Sequence, residues 1–278
     1  MAVALALLVA VFYGTGDFAG GLASRRASLL IVVLGSHVVG LVGVLVATPG
    51  LAERAPTAAD FGWGAVGGLF GLAGIVLLYR GLARGPMSVV APLSAVSSAM
   101  VPLIWGLVDG ERLSGLAGVG VALGLLSIVL VSAERRRPDQ VPVIRRTVIE
   151  ALLAGVGFGT FFVFLDLADD GSAPWPVVGA RTLTVSLALL AAIRLRPSRP
   201  AAGVWWAIAA AGVFDVAANV TFLLATAEGD LAVVSVLSSM YPAATVLLAW
   251  TILRERISGV QVAGLALAAV AISLVGVG

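Results

Sequence analysis

The chain has 278 residues, of which 60% are hydrophobic and 12% charged, with 17 basic residues that are all arginine, one histidine, no cysteine and a formal charge of +2. A soluble domain carries roughly 25% charged residues, so this sequence cannot cover a surface that faces water, and lipid is the solvent for most of it. Without cysteine there are no disulfides or thiolate metal sites, one histidine rules out a His-rich metal centre, no cofactor is expected, and the small basic excess is loop charge rather than a nucleic-acid surface.

A membrane span needs about 20 mainly apolar residues. The sequence predicts ten, over 2–23, 28–48, 60–81, 87–108, 113–133, 147–168, 174–194, 203–226, 231–252 and 257–277, an all-α polytopic membrane protein. The first, MAVALALLVAVFYGTGDFAGG, has no basic leading segment and is long enough to span, so it reads as a helix and not as a cleaved signal. It carries Tyr13, Thr15 and Asp17, and the second carries His37. The fourth holds Ser94, Ser97 and Ser98 between Pro92 and Pro102, and the fifth holds Gly120 and Gly124. After the polar linker AERRRPDQVPVIRR come Phe158 and Thr160 in the sixth span, Arg181 in the seventh, Asp215 and Asn219 in the eighth, and Ser238, Ser239, Tyr241 and Pro242 in the ninth. Trp63, Trp105, Trp175, Trp205, Trp206 and Trp250 all fall near span ends, where an amphipathic ring sits among headgroups.

The chain repeats itself. The stretch VVAPLSAVSSAMVPLIWGLVDGERLSG from Val89 returns 144 residues later as VVSVLSSMYPAATVLLAWTILRERISG from Val233, with Glu111-Arg112 matching Glu255-Arg256. ALLVAVFYGT (6–15) resembles ALLAGVGFGT (151–160), and GGLFGLAG (67–74) aligns with AGVFDVAA (211–218). This divides the chain into a first repeat over 1–133, a basic polar linker over 134–146 and a second repeat over 147–278. Five spans per repeat is an odd number, so the second copy must enter the membrane from the opposite side. Arginine marks cytoplasmic loops, and it changes places between equivalent loops as that requires. Arg25 and Arg26 align with Asp169 and Asp170, Arg84 aligns with Glu228, and Gly110 aligns with Arg254. The loops after odd-numbered spans hold 14 of the arginines, Arg54 and Arg112 lie on the other side, and Arg181 lies within a span. The expectation is two inverted five-helix repeats with both termini outside the cell. The run Arg135-Arg136-Arg137 with Arg145 and Arg146 reads as an orientation signal lying on anionic headgroups, with a lipid or partner site as the alternative.

Ionisable groups in the hydrocarbon layer are costly and face a partner or a wet cavity. His37 and Arg181 occupy equivalent positions in the two repeats, and a pseudo-two-fold axis brings such a pair to facing sides of a central cavity. Arg181 either grips a substrate carboxylate with two hydrogen bonds or neutralises Asp215 or Asp17. His37 lines the same cavity or is a buried histidine bonded to a neighbour. Asp215 and Asn219, four apart, share a face of their helix. Asp215 is a candidate proton or cation site and the alternative is a polar clasp with Arg181. Gly71 stands in its place in the first repeat, so the fold does not demand a carboxylate there. Asp17 is a second coupling candidate, or it reaches toward Arg25 and Arg26. Tyr13, Ser94, Ser97, Ser238 and Tyr241 complete the candidate substrate-binding set, with helix packing as the alternative for each. Prolines at 92, 102 and 242 free carbonyls toward a cavity. Gly120 and Gly124 mark close helix packing, and Glu111 and Glu255 read as boundary and packing residues.

Two five-helix repeats, each with an acidic-basic pair before its last helix, resemble the EamA-like transporters of the drug/metabolite transporter superfamily. The likeness rests on Gly14-Thr15, Gly159-Thr160, GARTLTVSLALLAA in the seventh span, GER (110–112) and RER (254–256), and it covers nearly the full chain. Relatives in that superfamily export amino acids and other metabolites, move nucleotide-sugars or expel cationic drugs. The resemblance implies a secondary transporter working by alternating access in a bacterial inner membrane. Asp17 departs from the pattern, because its counterpart Phe162 is aromatic.

The expected function is export of a small polar metabolite, an amino acid first, with possible partners limited to that substrate, membrane lipids and at most a second copy of a chain expected to be monomeric. Efflux of hydrophobic cations is the alternative, and Arg181 argues against it. No GxxxxGK[ST] loop occurs for ATP. A membrane-embedded enzyme needs clustered catalytic groups near the interface, and the loops hold none; a lipid scrambler or scaffold is the remaining class.

Overall fold

A computed structural model describes residues 1–24, 26–84, 87–131, 145–168, 171–253 and 258–277. Every regular element among the described residues is helical, as lipid demands of a chain that must satisfy its own backbone polar groups. The helices are α1 (Ala2–Ser24), α2 (Leu29–Leu51), α3 (Ala58–Arg84), α4 (Met87–Asp109), α5 (Gly115–Val131), α6 (Arg145–Asp166), α7 (Trp175–Leu195), α8 (Trp205–Thr226), α9 (Leu231–Ser238), α10 (Tyr241–Leu253) and α11 (Gly259–Val277), with a 3-10 turn over Ala202–Val204. Six of these regions are long and apolar enough to cross a membrane: α1, α2, α6, α7, the Ala58–Leu78 part of α3, and α8 with the turn before it. Shorter apolar helices cover Leu93–Asp109, Gly115–Val131, Leu231–Ala244 and Gly259–Val275.

The span expected over 231–252 is broken. α9 ends at Ser238 and α10 begins at Tyr241, with Pro242 in its first turn. Proline has no N–H and cannot bond the carbonyl four residues back, that of Ser238. The backbone tightens instead: Met240 N–H bonds the Leu237 carbonyl at 3.1 Å, and Ala243 N–H bonds that of Met240 at 2.9 Å. α4, by contrast, runs helical through Pro102.

Contacts between the two halves of the sequence dominate the packing. α1 lies on α8, and α6 lies on α3; α4 lies on α6, as α9 and α10 lie on α1; α5 packs on α11. Small residues let these backbones approach. A side chain at Gly64 would overlap the carbonyl of Pro176, and one at Gly68 would come within 2.9 Å of Ala180, so α3 and α7 touch almost backbone to backbone. Gly120 abuts Ala271 and Val275 of α11, and Gly124 abuts Val236 of α9, both as contacts within the chain. The largest apolar cluster joins α1, α6, α7, α8 and α9, with the rings of Phe162 and Phe222 stacked 4.4 Å apart.

Two caps fix helix ends. Asp230 precedes α9 without a side-chain cap, and Glu111, past the end of α4, supplies it: its carboxylate accepts the N–H groups of Leu231 at 2.7 Å and Ala232 at 2.9 Å. Glu111 is thus a packing residue that ties the end of one helix to the start of another. Its counterpart Glu255 lies outside the described residues, as do Arg25, Asp169, Asp170, Arg254, Arg256 and the linker arginines up to Arg137. At the start of α3, Thr57 and Asp60 exchange backbone caps, and Arg54 holds the same carboxylate through two bonds of 2.8 and 2.9 Å. Trp175 donates its indole N–H to the Arg54 carbonyl at 2.9 Å, pinning α7 beside this corner.

Candidate functional site

A cavity opens midway along the bundle, where α1, α2, α3, α4, α6, α7, α8 and α10 converge. Tyr13, Asp17, His37, Arg181, Asp215, Asn219 and Tyr241 line it, the polar groups that the sequence places within spans. Gly71, Leu72, Ile75 and Leu78 of α3 form an apolar wall, and Phe158, Phe161 and Phe162 of α6 an aromatic one. Its volume is about 80 Å³, counted as room for the centres of water molecules. One water needs roughly 10–15 Å³ on that measure, so the cavity has room for several.

At its centre Arg181 and Asp215 form an ion pair. The arginine side chain is 7% exposed and the carboxylate 32%, so the acid is the partner that meets the cavity. α8 presents Asp215 and Asn219 one turn apart on one face, as their spacing requires. Asn219 donates its amide N–H to the backbone carbonyl of Asp215 at 2.7 Å, and Tyr13 of α1 donates its hydroxyl to the Asn219 side-chain oxygen at 2.7 Å. A polar chain therefore runs Tyr13, Asn219, Asp215, Arg181 across three helices. Two groups in this set are unspent. The buried Nε of Arg181 has no hydrogen-bond partner among the described residues. Asp17, one turn from Tyr13, lines the same cavity and makes no hydrogen bond or ion pair among the described residues. Arg181 thus neutralises one of the two carboxylates that line the cavity.

His37 sits opposite on α2, 5% exposed, with Nδ1 2.9 Å from Thr184 Oγ1 of α7. Both readings of this residue hold together, since it is bonded to a hydroxyl and also lines the cavity. The serines behave differently. Ser98 lines the cavity, whereas Ser94, Ser97 and Ser238 are not among its lining residues. Ser97 bonds the carbonyl of Leu93 in its own helix, and Ser94 and Ser238 are buried at 0% and 1% exposure.

The EamA-like transporter family model matches residues 1–133 and again residues 145–277. The chain belongs to the EamA-like transporter family. It is therefore a polytopic integral membrane protein of the drug/metabolite transporter type. An uncharacterized protein of Methanocaldococcus jannaschii is 30% identical over 136 residues, which make up 96% of that protein and 47% of this chain. A crystal structure of a protein 20% identical to the chain superimposes with a TM-score of 0.78, covering 99% of this chain and 98% of the other.

Within this EamA-like chain, sequence reasoning missed Thr184, Ala180 and the α3 wall. Thr184 follows Arg181 by three residues and so shares its helix face, a signal that was present. The α3 wall left none: glycine, leucine and isoleucine facing a cavity read the same as glycine, leucine and isoleucine facing lipid.

Proposed function

We propose that the chain is a secondary transporter that exports a small polar metabolite, an amino acid in the simplest case, by alternating access around this cavity. The observation that carries the reading is the set of unspent polar groups at mid-bundle depth. Arg181 offers its guanidinium to a carboxylate, and Asp17 offers an acceptor to an ammonium group. A zwitterion satisfies both, while apolar walls take up its side chain. Asp215 can exchange Arg181 for a proton as the site fills, so proton coupling through Asp215, with Asp17 as the second acid, is part of the proposal.

The halves act as inverted repeats. The reciprocal packing of α1 on α8 and α6 on α3 supports that arrangement, as does a relative whose whole length corresponds to half of this chain. Transporters built from inverted repeats place substrate sites between the repeats, and residues of both halves line this cavity. On this proposal the protein works in a bacterial inner membrane with both termini outside, as a monomer surrounded by lipid. It is a transporter and not an enzyme.

A second reading, efflux of hydrophobic cations, draws support from Asp17 and the three phenylalanines of α6 that line the cavity. Purified protein in sealed liposomes decides between them. Counterflow of labelled neutral amino acids, with no counterflow of tetraphenylphosphonium, is the expected result. The reverse pattern favours cation efflux, and transport of neither overturns both.

A further inference from the structure

The single histidine of the chain is held by a hydroxyl that itself has a second contact. Thr184 Oγ1 lies 2.9 Å from His37 Nδ1 and 3.3 Å from the carbonyl of Arg181, three residues back in its own helix. A threonine hydroxyl has one hydrogen to donate, and a carbonyl can only accept. Both contacts are hydrogen bonds only if Thr184 donates to the Arg181 carbonyl and accepts from Nδ1–H. Helical threonines commonly donate to the carbonyl three or four residues back, and Thr15, Thr48, Thr182 and Thr251 of this protein all do so. A neutral imidazole with its hydrogen on Nδ1 has a bare lone pair on Nε2. That nitrogen has no partner among the described residues, and the ring lines the cavity.

We propose that Thr184 is a positioning residue that fixes His37 as the Nδ1–H tautomer, so that Nε2 stands in the cavity as a hydrogen-bond acceptor for an N–H or O–H group of whatever occupies it. The ligand role rests on the reading of the cavity as the transport site; the tautomer does not. With Asp17, this gives the cavity two acceptors that have no partner among the described residues, which favours ligands that bring N–H or O–H donors. Sequence alone offers no hint of the tautomer, because Thr184 aligns with Gly40 in the other repeat and the pairing is made once.

One histidine means one pair of ring nitrogens, so nitrogen NMR of protein labelled at histidine reads the tautomer without ambiguity. Spectra of the purified full chain are recorded at about pH 8.5, above the ordinary imidazole pKa of about 6.5, with long-range correlations to the ring protons assigning each nitrogen. The expected spectrum has hydrogen on Nδ1 and a bare Nε2. In Thr184→Val, which keeps the shape and removes the hydroxyl, the hydrogen moves to Nε2 in the majority of molecules, and Thr184→Ser restores it to Nδ1. A wild-type spectrum with Nε2–H dominant overturns the proposal, as does a Thr184→Val spectrum unchanged from wild type. If the valine protein does not fold, the wild-type and serine spectra still decide. The measurement needs no transport, so its failure leaves the transport reading standing, and loss of the transport reading leaves the tautomer standing.

Discussion

Arg181 and Asp215 reach each other across the cavity from α7 and α8, two helices that otherwise barely touch. α7 packs on α3 and α2, and α8 packs on α1 and α2, so the ion pair bridges a gap that few backbone contacts close. Such a bridge changes if what enters the gap competes for either partner.

Replacing one partner tests this. Breaking a fully buried pair costs about 3–5 kcal/mol, because it strands the other charge. Asp215 meets the cavity, so water softens that penalty for Arg181 here. Asp215→Ala is expected to lower the thermal stability of the purified protein by less than that range, and Arg181→Gln with Asp215→Asn to recover part of the loss. Unfolding followed by tryptophan fluorescence measures both.

Transport separates the two charges. Arg181→Gln is expected to weaken a carboxylate-bearing substrate roughly tenfold or more, the worth of a charge-assisted hydrogen bond, and to leave a hydrophobic cation nearly unaffected. Asp215→Asn, confirmed folded, is expected to flatten the dependence of amino-acid transport on pH in liposomes. An unchanged pH profile removes Asp215 from proton coupling.

Glu111 predicts a stability effect away from the cavity. Its carboxylate accepts two backbone N–H groups at the start of α9, and Glu111→Gln leaves one neutral acceptor for both. The expected loss is about 1–2 kcal/mol, in the range of a lost helix cap, read as a lowered unfolding midpoint.

Two glycines of α3 make a controlled pair. Gly64→Ala drives a methyl into the carbonyl of Pro176, while a methyl at Gly62 meets nothing within 4 Å. The first is expected to destabilise by about 1–3 kcal/mol, as overpacking does, and the second to be neutral or slightly stabilising, since alanine favours helix over glycine.

How much of this could be read from residues alone depended on the kind of signal. Lipid leaves the backbone few choices, so helix positions followed from apolar runs, and α1, α7 and α8 begin and end within a few residues of expectation. Charge is costly in hydrocarbon, so Asp17, His37, Arg181 and Asp215 stood out, and all four line one cavity. Hydroxyls carry no such cost, because a helical serine can bond its own backbone, as Ser97 does. Their sequence positions could not separate a cavity from a packing face, and Ser98 was singled out no more than Ser94. The break between Ser238 and Tyr241 was signalled by Pro242, yet Pro102 sits in an unbroken helix; a proline frees a carbonyl, and the surrounding packing decides whether the helix parts.

The account depends most on the cavity opening to both sides of the membrane in turn. The chain has no cysteine, so a single cysteine at Ile75, on the cavity wall, reports alone, with Val46→Cys as a lipid-facing control at a residue 75% exposed on the bundle exterior. In sealed vesicles Ile75→Cys is expected to react with a membrane-impermeant thiol reagent added from either side, and more slowly when a transported amino acid is present, while Val46→Cys stays unreactive. Reaction of Ile75→Cys from one side only, or from neither, would contradict alternating access through this cavity.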